Sequence, residues 1–173
     1  MAIRRTPRSL TSAGAGRTSA EASRTSVADA VRAAVALLAR RDYAIGELSL
    51  KLAAQKFEQD AIAGALEALK RRHALDDARY AENYVSYHAG RGQGPERIRA
   101  DLKALGVVEE LISAAVDAGP DWRGLAQQQR ERRFGPEIPA EWADKARQAR
   151  FLQYRGFSSD HIRSALGPDF DAD

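Results

Sequence analysis

The chain of 173 residues contains no cysteine. This absence excludes a disulfide framework, a thiolate zinc site and a cysteine nucleophile, and it suits a reducing cytosol. Long apolar runs are missing too. The longest uncharged one, residues 33–39, is far shorter than the roughly 18 residues that cross a bilayer. We therefore expect a cytoplasmic protein with no membrane segment.

Signals for strands and for catalytic clusters are also missing. No alternating runs of β-branched residues stand between turn-forming pairs. The three histidines, His73, His88 and His161, form no pattern such as H-x-x-x-H or H-E-x-x-H. Asp76 and Asp77 hint at a metal site, but helix N-termini attract acids for dipole reasons alone. We expect an all-α protein that is not an enzyme and has no metal or cofactor.

Outside the N-terminus, positive and negative charges are nearly balanced. The whole chain has a formal net charge of +3, residues 1–25 alone carry +4, and the remainder carries −1. The folded part is therefore not expected to coat a polyanion through charge alone. Because residues 1–25 hold little apolar surface, we predict a disordered basic tail. An organelle transit peptide is the alternative, although Pro7, Gly14 and Gly16 interrupt an amphipathic helix.

The sequence does contain a 50-residue repeat. Five apolar positions recur in three copies without an insertion, and an acid stands two residues before each repeated isoleucine. The copies are Leu52, Phe57, Ile62, Ala65 and Leu66, then Leu102, Val107, Ile112, Ala115 and Val116, then Leu152, Phe157, Ile162, Ala165 and Leu166. Such self-similarity is typical of helical repeat arrays, which form long surfaces for other macromolecules.

Helical periodicity and turn signals divide the rest of the chain into three units of three helices each. We place the units at 26–75, 76–119 and 120–168, with a short acidic tail at 169–173. The predicted fold is an all-α array of nine helices in three packed triplets. Terminal repeats are expected to be the least regular ones.

The first helix, predicted over residues 26–41, carries an apolar stripe at helical spacing. The stripe consists of Val27, Val31, Val35 and Leu38, which we expect to face the core. In the second helix the inward side chains are predicted to be Leu48, Leu52 and Gln55, and in the third Ile62, Leu66 and Leu69.

Two features of the second unit allow a functional interpretation. Tyr80, Tyr84 and Tyr87 form an aromatic stripe that favours core packing, with stacking on nucleic-acid bases as the alternative. The glycine-rich run 90–94 before Pro95 could cradle a phosphate, but phosphate loops normally follow a strand. A flexible turn is the favoured interpretation, in which Arg91 still reaches an acidic partner.

Basic residues at the ends of the units are the better candidates for binding. Clusters of basic residues stand at the C-terminal ends of helices or lie opposite an apolar stripe. Such residues either stabilise the helix through its dipole or contact a partner. Arg97 stands four residues before Asp101 and is expected to pair with it. We predict partner contacts at Arg71, Arg72, Arg91, Arg99, Lys103, Arg130, Arg132 and Arg133.

Three motifs resemble a known family. They are Asp76-Asp77-Ala78-Arg79-Tyr80-Ala81, Gly94-Pro95-Glu96-Arg97-Ile98 and Arg155-Gly156-Phe157-Ser158. Together with Leu102, Gly106, Val107 and Ile162, they are similar to the RecX family of recombinase regulators. The match spans about 30–166.

The resemblance implies an elongated, curved array that binds the groove of the RecA filament on single-stranded DNA. It implies modulation, mostly inhibition, of strand exchange, ATP hydrolysis and co-protease activity, and a place in recombination, repair and the SOS response. Such proteins are not enzymes. We expect a monomer with at most weak direct DNA binding. The alternatives are a direct DNA-binding protein of helix-turn-helix type and a generic helical adaptor.

The chain departs from the family at one helix start. The family often has a serine or threonine cap before its second helix, whereas this chain reads Ala44, Ile45, Gly46. The helix start is expected to be weaker by roughly 1 kcal/mol if nothing replaces the cap. The first repeat is then predicted to be the mobile one.

Overall fold

Nine α-helices and no strand make up the part of the chain that the structure, a computed structural model, describes, namely residues 25–167 and Phe170. The helices are Val27–Leu38 (α1), Ile45–Ala54 (α2), Gln59–Arg71 (α3), Asp77–Gly90 (α4), Pro95–Ala104 (α5), Glu109–Asp117 (α6), Trp122–Phe134 (α7), Trp142–Arg155 (α8) and Ser159–Leu166 (α9). The predicted all-α fold is confirmed. The predicted tails fall outside the described residues, apart from Thr25 and Phe170.

The repeated apolar positions form the core. Three clusters of buried side chains follow one another along the chain, centred on Leu52, Leu102 and Leu152, which are all fully buried. Of the fifteen apolar positions in the repeat, all are buried except the half-buried Leu66. The 50-residue period therefore reflects five apolar positions of a three-helix unit, which recur in three copies and form the core.

The predicted inward stripe of α1 is confirmed for Val31 and Leu38, which are partly buried against the first core cluster, and wrong for its other two residues. Val27 and Val35 are 42% and 49% exposed, whereas Ala30 and Ala34 are completely buried. Small side chains allow α1 to lie close along α3, where a Cβ on Gly64 would be 3.0 Å from a methyl group of Val27. The helix is also shorter than expected and begins after Ser26, whose hydroxyl accepts the N–H of Asp29 at 3.3 Å.

Glycines end two of the middle helices, and a serine starts the last helix. Gly106 and Gly156 adopt positive φ angles of 85° and 89°, which an L-residue rarely takes. The side chain of Ser158 accepts the backbone N–H of His161 at the start of α9. In turn, Nδ1 of His161 accepts the backbone N–H of Ser158, and the two hydrogen bonds form a capping box.

One other inward prediction is wrong. Gln55 follows α2 and is exposed. Among the large apolar residues, Trp142 starts α8 and is 60% exposed. Its ring nevertheless stacks on Phe170, with the centroids 5.2 Å apart, and so covers one end of the third core cluster.

Successive repeats meet where the start of one middle helix lies close to the end of the next middle helix. A Cβ at Gly46, near the start of α2, would lie 2.7 Å from the carbonyl oxygen of Leu105 and 2.9 Å from Cα of Gly106, just after α5. A Cβ at Gly94, just before α5, would lie 2.3 Å from the carbonyl oxygen of Gly156, just after α8. Both junctions therefore need glycine for close backbone approach.

The missing cap of α2 is replaced across the first junction. Ala44 makes no side-chain cap bond, but Oδ1 of Asp77 accepts the backbone N–H of Ile45 at 2.8 Å. Asp77 belongs to α4, so the second repeat caps a helix of the first. The expected weakness of this helix start does not arise, because its condition, an unreplaced cap, is not met.

Candidate functional site

Three predicted contact residues lie apart from the others. Arg71 and Arg72 are exposed at the end of α3, and Lys103 is exposed in the last turn of α5. Their charges complement the C-terminal dipoles of these helices. They remain accessible but share no recess with the other predicted residues.

Arg99 does not face outward as expected. Its side chain is 28% exposed and reaches α6, where Nη1 donates to Ser113 at 2.9 Å. Its guanidinium also lies 3.5 Å from Glu109 and 3.4 Å from Asp117. Two carboxylates thus balance this charge, and we assign Arg99 to the joint between α5 and α6. Arg97 does lie near Asp101 as predicted, at 3.9 Å.

Arg130 is not accessible to a partner at all. It is 1% exposed, and its guanidinium donates to the carbonyl oxygens of Gly135, Pro136 and Glu137 at 3.3, 2.9 and 3.0 Å. The sequence analysis predicted a partner contact for Arg130 as for its neighbours Arg132 and Arg133. In the structure, the loop after α7 folds back over Arg130. Arg130 therefore holds that loop and leaves the set of candidate contacts.

The remaining predicted arginines converge. Arg91, Arg132 and Arg133 line one recess of about 200 Å³ together with Arg155, which the sequence analysis did not select. Gln129 and Phe151 complete the lining. We call these six residues the arginine recess. Its arginines come from the C-terminal ends of α4, α7 and α8, where the helix dipole favours cations, and that signal was available for Arg155.

Aromatic rings and backbone groups hold the guanidinium groups of the recess. Nη1 of Arg91 donates to the hydroxyl of Tyr87 at 2.6 Å, and its Cζ lies 5.2 Å from that ring centroid. Nη1 of Arg155 donates to the carbonyl oxygen of Arg91 at 3.2 Å, and its Cζ lies 5.3 Å from the Phe151 ring centroid. Two arginines of the recess are therefore fixed in place without neutralisation.

The tyrosine stripe is only partly core. Tyr80 and Tyr84 are half-buried and pack against the second cluster, and burial next to Asp101 raises the pKa of Tyr84 to about 12. Tyr87 is 59% exposed, so the core prediction is wrong for it. The helix turns Tyr87 away from the core and toward Arg91.

No group of three or more metal-ligating side chains occurs within residues 25–167 and Phe170. No helix of that part is long and apolar enough to cross a membrane.

Comparison with known proteins identifies the family. The family model described as "RecX, second three-helix domain" matches residues 76–116, and the one described as "RecX, third three-helix domain" matches residues 124–166. The regulatory protein RecX of Halorhodospira halophila is 44% identical over 139 residues, which cover 79% of this chain and 86% of that protein. The chain belongs to the RecX family. The resemblance seen in the sequence is confirmed.

Further RecX proteins support the assignment. The regulatory protein RecX of Pseudomonas fluorescens is 39% identical over 142 residues, covering 81% of this chain and 92% of its own length. The crystal structure of RecX from Lactobacillus salivarius shares the fold, with a TM-score of 0.71 at 20% identity over 81% of this chain and 94% of that one. A second crystal structure of a regulatory protein RecX gives a TM-score of 0.67 at 23% identity, covering 81% of this chain and 70% of that one. In this RecX-family chain, the arginine recess lies between the second and the third matched domain.

Proposed function

We propose that this chain regulates the RecA recombinase by binding in the groove of its filament on single-stranded DNA. The binding modulates, and mostly inhibits, strand exchange, ATP hydrolysis and co-protease activity. Membership of a family whose proteins are named regulatory proteins supports a regulatory role rather than catalysis. The protein acts in the cytoplasm as a monomer.

The repeated junction is the observation that carries this proposal. Gly46 packs on Leu105 and Gly106, and Gly94 packs on Gly156, so at both junctions the start of one middle helix lies close against the end of the next. A filament also repeats its protomers at a fixed spacing. A binder built from similarly joined modules places successive surfaces on successive protomers, and each contact raises the effective concentration of the next.

The units 26–75, 76–119 and 120–168 are the proposed modules. Each surrounds one of the three core clusters, and their exposed basic ends, including Arg71, Arg72 and Lys103, face acidic recombinase surface or DNA backbone. A module array lying in the groove hinders incoming duplex DNA. Capping of filament growth and promoted disassembly are the alternative ways to inhibit.

Co-sedimentation with RecA filaments tests the proposal. We expect the wild-type chain to sediment with filaments on single-stranded DNA, and Gly94→Ala to sediment less, because the new Cβ separates the second module from the third. Gly90→Ala is the matched control, since a Cβ there meets nothing within 4 Å. Absence of wild-type co-sedimentation at several-fold excess contradicts the proposal.

A direct DNA-binding protein of helix-turn-helix type is the second candidate. Three-helix units with basic ends favour it. In the same experiment, tight and sequence-dependent binding to naked duplex DNA would support this candidate instead. If the basic tail were the main contact with bare DNA, the affinity would fall with salt at a log-log slope of roughly −3 to −4.

A further inference from the structure

We propose that the arginine recess binds a backbone phosphate of single-stranded nucleic acid directly. The inference rests on the proposed function for the presence of single-stranded DNA beside the chain, and it assigns one surface to the nucleic acid rather than to the recombinase. Three features support it: the unbalanced charge of the recess, the rigidity of its frame and the exposed ring of Tyr87, which holds Arg91.

No carboxylate of the described residues balances the charge of the recess. Within residues 25–167 and Phe170, none of Arg91, Arg132, Arg133 and Arg155 forms an ion pair with a carboxylate. Some arginines on other faces do: Arg41 pairs with Glu47, and Arg99 lies near two acids. Four guanidinium groups gathered without an acid repel one another, and an anion in the recess relieves that repulsion.

The frame of the recess is fixed before any ligand arrives. The backbone N–H of Gly94 donates to the carbonyl of Arg155 at 2.8 Å, and that of Glu96 donates to Gly156 at 3.0 Å. A Cβ at Gly92 would lie 2.2 Å from Oε1 of Gln129, so the α4–α5 loop rests directly on α7. Because the second junction lies at the recess, its arginines keep their spacing, and binding costs little reordering.

The size and donor set of the recess fit phosphate. Its volume of about 200 Å³ is below the roughly 300–1,000 Å³ typical of pockets for whole small molecules. A phosphate group with part of its sugar fits this space better than an entire nucleotide does. Guanidinium forks also match phosphate oxygens bidentately.

The exposed ring favours a single strand over a duplex or an acidic protein. Tyr87 holds Arg91 and is itself 59% exposed, so a base next to a bound phosphate finds an aromatic face. Stacking on aromatic side chains beside a basic groove is how proteins bind single strands without sequence preference. Bases within a duplex are already stacked, and acidic peptides have no bases.

Fluorescence anisotropy of the full chain with a labelled oligothymidylate of about 20 nucleotides tests the inference. In Arg132→Gln with Arg133→Gln, we expect about tenfold weaker binding and a log-log salt slope shallower by about 0.7, because the loss of one phosphate contact removes about that much. Arg71→Gln with Arg72→Gln is the matched control, since it removes the same charge from another exposed helix end. The control should stay within about twofold of wild type.

A charge-preserving pair guards against misfolding. Arg132→Lys with Arg133→Lys should keep the wild-type salt slope while losing affinity, since lysine keeps the charge but not the fork. Equal losses in the glutamine pair and its control, or no loss in either, overturn the inference. So does displacement of the oligonucleotide by an equally charged glutamate-rich peptide at the same concentration.

Filament co-sedimentation of the same variants separates this inference from the proposed function. Recess-dependent oligonucleotide binding without wild-type co-sedimentation supports the phosphate site and contradicts the regulator. Co-sedimentation with no recess-dependent oligonucleotide binding overturns the phosphate site alone.

Discussion

Oδ1 of Asp77 lies 2.8 Å from the backbone nitrogen of Ile45, so the first helix of the second repeat caps the middle helix of the first. Removing this acceptor in Asp77→Ala should lower the free energy of unfolding by about 1 kcal/mol, as the loss of an N-cap does. Asp77→Asn is the control, since its carbonyl oxygen still accepts the bond. Urea unfolding followed by circular dichroism measures both, and an alanine variant as stable as wild type would show that the contact stabilises nothing.

The same carboxyl should make stability depend on pH. Burial raises the pKa of Asp77, with Asp76 adding to the rise, while the Ile45 hydrogen bond opposes it. A raised pKa means that the folded state holds the proton more tightly than the unfolded state. The resulting stabilisation is complete below the ordinary pKa of 3.8 and is lost as pH rises through the raised value.

Asp77→Asn removes this titration. We compare the free energy of unfolding of the wild type with that of this variant. The difference, wild type minus variant, should fall as pH rises in the acidic range. A difference that does not change with pH would mean that the environment of Asp77 is not the one described.

His161 should make stability depend on pH in the opposite direction, with stability lost on acidification. Burial lowers the pKa of His161, and Arg123 lowers it further. Nδ1 accepts the Ser158 N–H at 3.3 Å, which only a neutral ring can do. This stabilisation is present above the ordinary pKa of 6.5 and is lost as pH falls through the lowered value.

Glutamine serves as the control for this histidine, because it completes a capping box without titrating. Thermal unfolding of wild type and His161→Gln between about pH 8 and pH 5 should show a larger loss for wild type on acidification. Parallel curves for the two proteins would remove His161 from the cap.

The close approach at Gly46 predicts a steric penalty. In Gly46→Ala the new Cβ meets backbone atoms of Leu105 and Gly106, which cannot turn aside as a side chain can. We expect a loss of roughly 1–3 kcal/mol in unfolding free energy. Gly90→Ala should be neutral or stabilising by up to about 1 kcal/mol. If chemical denaturation finds the two variants equally stable, the first junction is not a tight backbone contact.

Much of the fold could be predicted because it is local or repeated. The period placed Leu102, Leu152 and their equivalents in the core, and turn residues such as Gly156 and Ser158 lie where helices end and begin. The inward face of α1 was only partly predicted, because large apolar residues dominate a periodic pattern, whereas close packing on α3 selects Ala30 and Ala34. That choice depends on a neighbouring helix.

In the candidate site, too, local features could be predicted from the sequence, whereas contacts between distant segments could not. The basic character of Arg91, Arg132 and Arg133 is visible in the sequence, and so is their position at helix ends. Their convergence with Arg155 is not visible, because it needs the backbone bonds that join the second repeat to the third. The burial of Arg130 also depends on a loop that folds back over it.

ATP hydrolysis by RecA filaments on single-stranded DNA, measured against the concentration of this chain, tests the central claim most directly. Wild-type chain should lower the rate, and Gly90→Ala should follow the same curve. Gly94→Ala should need a higher concentration for the same effect, since it disturbs the junction between modules. A hydrolysis rate that stays unchanged at several-fold excess of wild-type chain would contradict the account.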